Sequence, residues 1–265
     1  MDIKATIIFV LYNNFDEAEV TIRSLEEQRD CGEVELLISD DASSGYDTSV
    51  LEGLKERLGR NFADVRVNVN EENMGSVAHF NKTFRLARGK YYIFCSPGDR
   101  FPEAATVSHI IRDFEKSGAM ILTGRRRDIY ADHSKVRPGI FTRLGLKFCP
   151  GILMNYMVRK RNLISSCCTA YSPQLFEQYG YLDEDYRLLD DFPFIVSLLQ
   201  RGAKIAFTKE IFLEHEMGGG VSSGEHIHPI ILKDLELMQQ KLLKNPAGLT
   251  KATLRYLEEE VSKRK

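Results

Sequence analysis

The stretch Val34-Glu35-Leu36-Leu37-Ile38-Ser39-Asp40-Asp41 is an apolar run that ends in two acids. Such a run is typical of a buried strand, and the two acids stand where that strand would end. Similar runs occupy residues 5–11, 65–69 and 91–96, and a helix-like segment separates each run from the next. Because strands that alternate with helices form βαβ units, the sequence predicts an α/β fold with a mixed, mainly parallel sheet flanked by helices.

Helices are predicted between and after these strands. The first begins with a capping pattern, Asn14 followed three residues later by Glu17. Its apolar face comprises Phe15, Ala18, Ile22 and Leu25. Further helices are predicted over residues 48–58, 76–87, 102–117 and 190–201, then a strand over 203–208, a glycine turn over 217–220 and a charged helical tail.

The composition limits the class of protein. With 265 residues, 43% of them hydrophobic, the chain is long enough for one large α/β domain or two small ones. A formal net charge of −2 gives no basic excess, so we expect no nucleic-acid partner. No run approaches the ~18 apolar residues of a membrane-spanning helix, and the apolar run 5–11 is too short for a secretory signal. With five cysteines and no C-x-x-C pair, these features predict a cytoplasmic protein with reduced thiols.

Residues 133–176, which we call the cationic segment, contain no Asp or Glu. Their seven basic residues are Lys135, Arg137, Arg143, Lys147, Arg159, Lys160 and Arg161, mixed with apolar residues. Such a segment is either a solvated surface over core positions or a face for an anionic partner. The shift in composition predicts two halves of one domain, 1–124 and 125–225, followed by a C-terminal tail over 226–265.

Polar residues follow each predicted strand. In parallel sheets of this kind, ligands bind outside the carboxyl ends of the strands. The residues at these ends are Leu11-Tyr12-Asn13, Asp40-Asp41, Asn73-Met74-Gly75 and Gly98-Asp99-Arg100. Neither a Gly-x-Gly-x-x-Gly fingerprint nor a Walker phosphate loop follows the first strand, so these two cofactor classes are not supported.

Each acidic position allows a structural and a functional interpretation. Asp99 either ligates a divalent cation on a diphosphate or caps a helix and shapes the Pro-Gly turn before it. Asp40 and Asp41 either bind a ligand or form an Asx turn. Asp190 and Asp191 either start a helix or include a general base for a hydroxyl. His215, between two glutamates, either meets metal or phosphate or is simply charged and exposed.

Four phrases follow one another in the chain: Tyr12-Asn13, Asp40-Asp41-Ala42-Ser43, Asn73-Met74-Gly75, and Asp190-Asp191 after Phe176-Glu177-Gln178-Tyr179-Gly180. Their order resembles the inverting family 2 glycosyltransferases, which have the GT-A fold, over roughly residues 5–225. By this resemblance, Tyr12 and Asp40 hold the base of a nucleotide-sugar. The resemblance further implies that Asp99 binds Mn²⁺ or Mg²⁺ on the diphosphate and that Asp191 removes the proton of the acceptor hydroxyl.

The remaining residues expected to contact substrate are Leu11, Asn13, Asp41, Asn73, Gly75, Gly98, Arg100 and Asp190. The family usually has Asp-x-Asp-Asp where this chain has Pro97-Gly98-Asp99-Arg100, so two acids are missing. Fewer anionic ligands should weaken metal binding, and an inward-facing Arg100 would pair with phosphate instead. His215 precedes a glycine-rich stretch, residues 218–222, which resembles the family segment where a histidine approaches the diphosphate and its metal.

The resemblance therefore implies a metal-dependent, inverting glycosyltransferase that works in bacterial cell-surface polysaccharide synthesis. Residues 1–124 would bind a nucleotide-sugar such as a UDP-sugar, and 125–225 would bind a saccharide or lipid-linked saccharide acceptor. The cationic segment would meet that acceptor or an anionic membrane, on the inner membrane face. The alternative is a catalytically degenerate nucleotide-sugar-binding or scaffolding protein on the same fold, since acids of the metal motif are missing.

Overall fold

The computed structural model describes residues 2–45, 47, 49–216 and 227–263. Its strands are β1 Ala5–Leu11, β2 Val34–Asp40, β3 Asp64–Val69, β4 Tyr91–Cys95, β5 Asp99–Arg100, β6 Ile121–Ile129, β7 Ser134–Arg137, β8 Thr169–Tyr171 and β9 Ala206–Glu216. Within the described residues they form one sheet in the order β3-β2-β1-β4-β8-β6-β9-β5, and β7 pairs with β6.

The sheet is mixed. Strands β1 to β4 are mutually parallel, and β6 is parallel to β9. Strand β8 lies antiparallel between β4 and β6, so β4 and β6 point the same way. The carboxyl ends of β1, β2, β4, β6 and β9 therefore lie at one edge of the sheet, which we call the rim. The predicted α/β class with a mainly parallel sheet is confirmed.

Helices cover both faces of this sheet. They are α1 Ala18–Glu26, α2 Ser49–Leu58, α3 Ser76–Leu86, α4 Thr106–Ser117, α5 Ile140–Phe148, α6 Pro150–Lys160, α7 Pro173–Tyr179, α8 Phe192–Gln200, α9 Pro229–Lys244 and α10 Lys251–Ser262. Alternate side chains of β1 enter opposite cores, as the period of a strand requires. Ile7 packs with α1, α2 and α4, whereas Ile8 packs with α3, α6 and α8. Both faces of β1 are thus buried.

Several predicted boundaries are corrected. Asn14 does not cap the first helix through its side chain; its Oδ1 accepts a hydrogen bond from the Tyr12 N–H at 3.0 Å, and a 3₁₀ turn precedes α1. Helix α4 begins at Thr106 instead of residue 102. Strand β9 begins three residues later and ends eight residues later than the predicted 203–208, because pairing with both β6 and β5 extends it. The predicted glycine turn over 217–220 lies outside the described residues, as does the stretch 218–222.

The boundary predicted after residue 124 lies inside β6, so the two predicted halves share one strand. Among the described residues, no helix combines the length and the hydropathy needed to cross a lipid bilayer.

Candidate active site

The loops after β1 and β2 meet at the rim. In the register of these strands Leu11 lies opposite Asp40, and the Leu11 carbonyl accepts a hydrogen bond from the Asp41 N–H at 2.9 Å. The Asn13 N–H donates to Ser43 Oγ at 2.8 Å, and the Asn13 side chain accepts from the Ser44 N–H at 2.8 Å. Tyr12 is 47% exposed beside this junction, so its ring is accessible to a ligand.

The two acids after β2 have different surroundings. Asp40 is fully buried and accepts hydrogen bonds from the Ser43 N–H at 2.8 Å and the Ser43 hydroxyl at 2.5 Å. For Asp40 this is the Asx-type turn, one of the two interpretations that the sequence allows.

Asp41 holds the loop that follows β3. One carboxylate oxygen accepts from Asn70 Nδ2 at 2.7 Å and from the Met74 N–H at 3.0 Å. The other accepts from Asn73 Nδ2 and from the Gly75 N–H, both at 3.0 Å. With four donors on two oxygens and a side chain that is 2% exposed, Asp41 is a structural carboxylate that positions residues 73–75.

The same loop contacts the segment before α8. Gly75 has φ +81°, and a Cβ built there would lie 2.8 Å from the Arg187 carbonyl oxygen, so only glycine fits. Arg187 in turn donates to Asn73 Oδ1 at 2.7 Å. The loop after β3 is therefore coupled to the segment that carries Asp190 and Asp191.

Asp99 and His215 form a hydrogen-bonded pair at the rim. They lie opposite each other in the antiparallel register of β5 and β9, and His215 Nδ1 is 2.9 Å from Asp99 Oδ1. The other oxygen of Asp99 accepts from the Ser96 N–H at 2.9 Å. Gly98, at φ +85°, turns the chain so that Asp99 is buried, at 3% exposure. The hydrogen bond with Asp99 raises the pKa of His215 above its ordinary value.

Asp99 and His215 alone are too few to bind a divalent cation, so further ligands must come from a bound phosphate group and water. A histidine that donates Nδ1–H to a carboxylate is oriented to ligate through Nε2. However, no group of three or more His, Cys, Asp or Glu side chains with metal-site geometry occurs in the described part of the chain. Because Mg²⁺ and Mn²⁺ in nucleotide sites take many of their ligands from phosphate and water, Asp99 and His215 fit a cation that arrives with a diphosphate.

Arg100 lies on the opposite side of β5 from Asp99. Its guanidinium forms an ion pair with Glu214, the residue opposite it on β9, and Arg127 pairs with the same carboxylate. Glu214 is buried, whereas the Arg100 side chain is about half exposed at 51%. Arg100 therefore neutralises a buried acid next to His215.

A short turn, Ser166–Cys168, brings a thiol into the centre of the rim. Cys167 Sγ lies 3.6 Å from Arg126 Nη1 and 3.2 Å from Ser165 Oγ. A hydrogen bond with Cys168, aided by the charge of Arg126, lowers the pKa of the Cys167 thiol to about 7. A negative charge on Cys167 would raise the pKa values of both His215 and Asp190, so the turn lies near the Asp99–His215 pair and near Asp190.

Asp190 and Asp191 lie against this turn at the start of α8. Burial, and then the neighbouring Asp191 charge, raises the pKa of Asp190, and one of its oxygens has no hydrogen-bond partner among the described residues. Burial also raises the pKa of Asp191, to about 6, while the N–H groups of Phe192 and Ser166 and the side chain of Asn162 favour its ionised form. A carboxylate with such a pKa is suited to accept a proton near neutral pH.

Asp190 also lines a cavity of 360 Å³ on the α9 side of this segment. Its walls include Tyr186, Leu189 and Phe194, and Lys241 stands at its α9 side. Asp190 thus lies beside a cavity whose walls are only partly polar, and its burial raises its pKa.

Replacing Asp190 by Asn is expected to stabilise the protein at neutral to alkaline pH. Because the pKa of Asp190 rises from 3.8 in the unfolded chain to about 8 in the folded protein, the folded state holds more protons and wild-type stability falls as pH rises through this window. The amide of the variant cannot ionise, so the gain should be absent near pH 4 and exceed about 1 kcal/mol near pH 8, or roughly 2–4 °C in Tm.

Thermal unfolding across this pH range measures the effect. Asp185→Asn is the matched control, because a hydrogen bond from Lys241 lowers the pKa of Asp185 and its removal should give no gain. A gain for Asp190→Asn that does not change with pH would show that burial of its charge is not the cause.

The predicted site residues thus form two connected groups at the rim. Leu11, Tyr12, Asn13, Asp40, Asp41, Asn73 and Gly75 make one group; Gly98, Asp99, Arg100, Asp190, Asp191 and His215 make the other. Sequence reasoning missed Arg126, Asn162, Ser166 and Cys167. A run of three arginines, residues 125–127, was the only sequence signal for any of these residues.

Comparison with known proteins adds a family and a fold. A family model described as "Glycosyl transferase family 2" matches residues 6–180. The chain is similar to S. aureus TarS in complex with UDP-GlcNAc, with a TM-score of 0.69 and 16% identity over 98% of this chain and 71% of that one. It is also similar to the mannosyltransferase PcManGT from Pyrobaculum calidifontis in complex with GDP-Man and Mn²⁺, with a TM-score of 0.65 and 13% identity over 98% of this chain and 70% of that one.

The chain spans 43% of the length of a longer TarS structure that it also matches. No curated protein sequence matches it. At these identities the solved structures establish the architecture, which is that of the GT-A fold, as the resemblance implied.

Proposed function

The chain belongs to glycosyl transferase family 2, and from this membership we propose that it transfers a sugar from a nucleoside-diphosphate sugar to an acceptor hydroxyl with inversion at the anomeric carbon. The observation that carries the proposal is the rim, where the Asp99–His215 pair and the carboxylate of Asp191 both lie near the turn Ser166–Cys168. Asp99 and His215 would then bind the leaving diphosphate, and Asp191 would act as the general base, in a single displacement.

The donor occupies the first group of rim residues. Tyr12, with its exposed ring, contacts the base, while Asp40 and Asp41 keep the surrounding loops in place. We assign a UDP-sugar or GDP-sugar as donor because the similar TarS and PcManGT structures hold UDP-GlcNAc and GDP-Man.

Asp99 and His215 are the residues that would hold a Mn²⁺ or Mg²⁺ ion. Such an ion, when bound with the donor, would neutralise charge that develops on the leaving diphosphate. Asp99 keeps His215 oriented. The raised pKa of His215 means that, without an ion, the imidazole is charged over more of the pH range and favours an anionic diphosphate at this position. To ligate the ion, His215 would give up that proton.

Asp191 is the general base. Its carboxylate takes the proton from the acceptor hydroxyl as the oxygen attacks the anomeric carbon and the bond to the diphosphate breaks on the opposite side. One such displacement inverts the anomeric centre. Asp190, held protonated over more of the pH range than an ordinary carboxyl, adds little negative charge beside the base.

The acceptor is a saccharide or lipid-linked saccharide, bound by residues 125–225, and the reaction belongs to bacterial cell-surface polysaccharide synthesis in the cytoplasm. Residues 1–124 bind the donor, and the tail from 226 supports the acceptor side. The cationic segment supports an anionic acceptor, because it contains no acid of its own.

Donor binding is expected to stabilise the chain. At ~100 times its dissociation constant, a matching nucleoside diphosphate or its sugar should add about 2.7 kcal/mol to the free energy of unfolding. The panel consists of UDP, GDP and their sugars, each with and without Mn²⁺, followed by thermal unfolding. Asp99→Ala should lose the Mn²⁺-dependent part of the shift, because the ion loses its carboxylate.

Glu52→Ala is the control for this panel, since Glu52 is exposed on α2 and is none of the proposed site residues. The proposed function fails if no nucleotide shifts the wild type. A nucleotide-dependent shift in thermal unfolding that is the same without Mn²⁺ and in Asp99→Ala, together with no sugar transfer, would favour the alternative of a degenerate nucleotide-sugar-binding protein.

A further inference from the structure

Helix α5 and the start of α6 expose an unusual amount of apolar surface. Six of the thirteen large apolar side chains that are exposed among the described residues lie between positions 136 and 152. They are Val136, Ile140, Phe141, Leu144, Phe148 and Ile152, which we call the α5 patch. Ile140 is 71% exposed and Phe148 68%. A contiguous apolar patch of this kind marks an interaction surface.

The patch is one face of a well-anchored helix. Ile140, Leu144 and Phe148 are spaced by four residues, so they form a stripe along α5 at about 3.6 residues per turn. The buried residues of the helix, Thr142, Gly145 and Leu146, face the protein. A Cβ built on Gly145 would lie 3.0 Å from the Leu153 Cβ, so the glycine allows α5 to pack closely on α6. The stripe is therefore held outward.

Unpaired cations border this stripe. Arg143 and Lys147, also four residues apart, are exposed along the same face of α5. Lys135, Lys160 and Arg161 are exposed nearby in the sequence, and none of these five side chains forms an ion pair with another described residue. Because the cationic segment lacks acids, neighbours in the sequence do not neutralise the charge of these five side chains.

The apolar stripe and its cationic border together favour one kind of partner, an anionic lipid surface. A second copy meeting this face about a two-fold axis would bring Arg143 and Lys147 against the same cations, which is unfavourable. An anionic bilayer offers both an apolar interior for the stripe and phosphates for its border. We propose that the α5 patch docks the protein on an anionic lipid bilayer. Ile140, Leu144 and Phe148 enter the boundary between headgroups and acyl chains.

This docking face begins beside the rim. Arg137, at the end of β7, contacts Asp128 at 2.7 Å, and Asp128 lies opposite His215 in the register of β6 and β9. Helix α5 starts three residues after Arg137. A bilayer at the α5 patch would then present a lipid-linked acceptor beside the rim. This one step rests on the proposed function.

Vesicle co-sedimentation of the full chain tests the docking. The vesicles contain phosphatidylcholine alone or a mixture of phosphatidylcholine and phosphatidylglycerol. We expect the wild type to bind the mixed vesicles and to bind phosphatidylcholine vesicles much more weakly. Ile140→Ser with Phe148→Ser should weaken binding more than about tenfold, and Arg143→Gln with Lys147→Gln on the order of 30-fold.

Val50→Ser with Leu232→Ser is the matched control, because these side chains are 39% and 47% exposed on α2 and α9. This pair should bind like the wild type, and circular dichroism should show that all variants are folded. Equal retention by both kinds of vesicle, or no retention, overturns the proposal. A dimer in analytical ultracentrifugation that Ile140→Ser with Phe148→Ser dissolves would also overturn it, in favour of a second copy.

The docking and the sugar transfer can fail separately. The nucleotide shift in thermal unfolding should be the same in Ile140→Ser with Phe148→Ser as in the wild type, since neither residue lies among the proposed donor contacts. Vesicle binding without any nucleotide shift would remove the proposed function and leave the docking surface standing. A nucleotide shift without vesicle binding would remove the docking surface and leave the proposed function standing.

Discussion

Asp191→Asn is expected to lower kcat by about 10²–10⁴-fold, the usual contribution of a positioned general base, and to leave the nucleotide-dependent stabilisation unchanged. The substitution keeps the size of the side chain and removes its ability to accept a proton from the acceptor. Phe192, Ser166 and Asn162 hydrogen-bond this carboxyl group in the wild type, and the near-isosteric amide keeps one oxygen that can accept from them. Release of nucleoside diphosphate with acceptor present, for the donor that the unfolding panel identifies, measures the loss.

Asp183→Asn serves as the control, because Asp183 belongs to the same loop but is 49% exposed and pairs with Lys241. Its activity should stay within a few-fold of the wild type. If Asp191→Asn retained most of its activity, the base would have to be another group at the rim.

The pH profile of the wild type gives an independent check on the same residue. The value of kcat/KM should fall as pH is lowered through about 6, because Asp191 then takes up a proton and no longer accepts one. In Asp191→Asn this acidic limb should disappear from the residual activity. A profile that is flat down to pH 4 would assign the base to a group with an unperturbed pKa.

Much of the fold and part of the site follow from local sequence pattern. The apolar runs before Asp40 and Asp99 predict strands, and parallel strands bring their carboxyl ends to one edge. That topology alone places Tyr12, Asp40 and Gly98 on the same rim. It could not predict that Asp99 and His215 touch, because their contact depends on β9 crossing the sheet to pair with β5, 116 residues away in the chain.

The central turn Ser166–Cys168 could not be predicted for a topological reason. In a parallel sheet, site residues are expected to follow the strands. Strand β8 is antiparallel to β4, so it is the start of β8, not its end, that lies at the rim. The residues before Thr169 therefore enter the site, and only the order of strands in the sheet reveals this.

Sequence also could not separate Asp40 from Asp41. The two are adjacent and identical, and both were expected to contact substrate. Because side chains alternate at the end of a strand, one turns toward Ser43 and the other toward the loop after β3. Asp41 gathers donors from three different residues of that loop and a fourth from Asn70, whereas Asp40 accepts from Ser43, so the two acids should respond differently to substitution.

Asp41→Asn is expected to lower the free energy of unfolding by about 3–6 kcal/mol, since two of its charge-assisted hydrogen bonds are lost at about 1.5–3 kcal/mol each. Each carboxylate oxygen accepts from two donors, so either orientation of the amide sets its NH₂ group against two N–H donors. This is a large part of the 5–15 kcal/mol that ordinary domains possess. The loop 73–75 should loosen, and the nucleotide-dependent stabilisation should weaken with it.

Urea unfolding monitored by circular dichroism measures this loss as a lower midpoint with an unchanged slope. Asp132→Asn is the matched control, because the Asp132 side chain is 86% exposed and such surface changes usually stay within about 0.5 kcal/mol. A loss below about 1 kcal/mol for Asp41→Asn would mean that the donors find other acceptors and that the carboxylate does not hold the loop. Asp41 would then again be a candidate for direct contact with the donor.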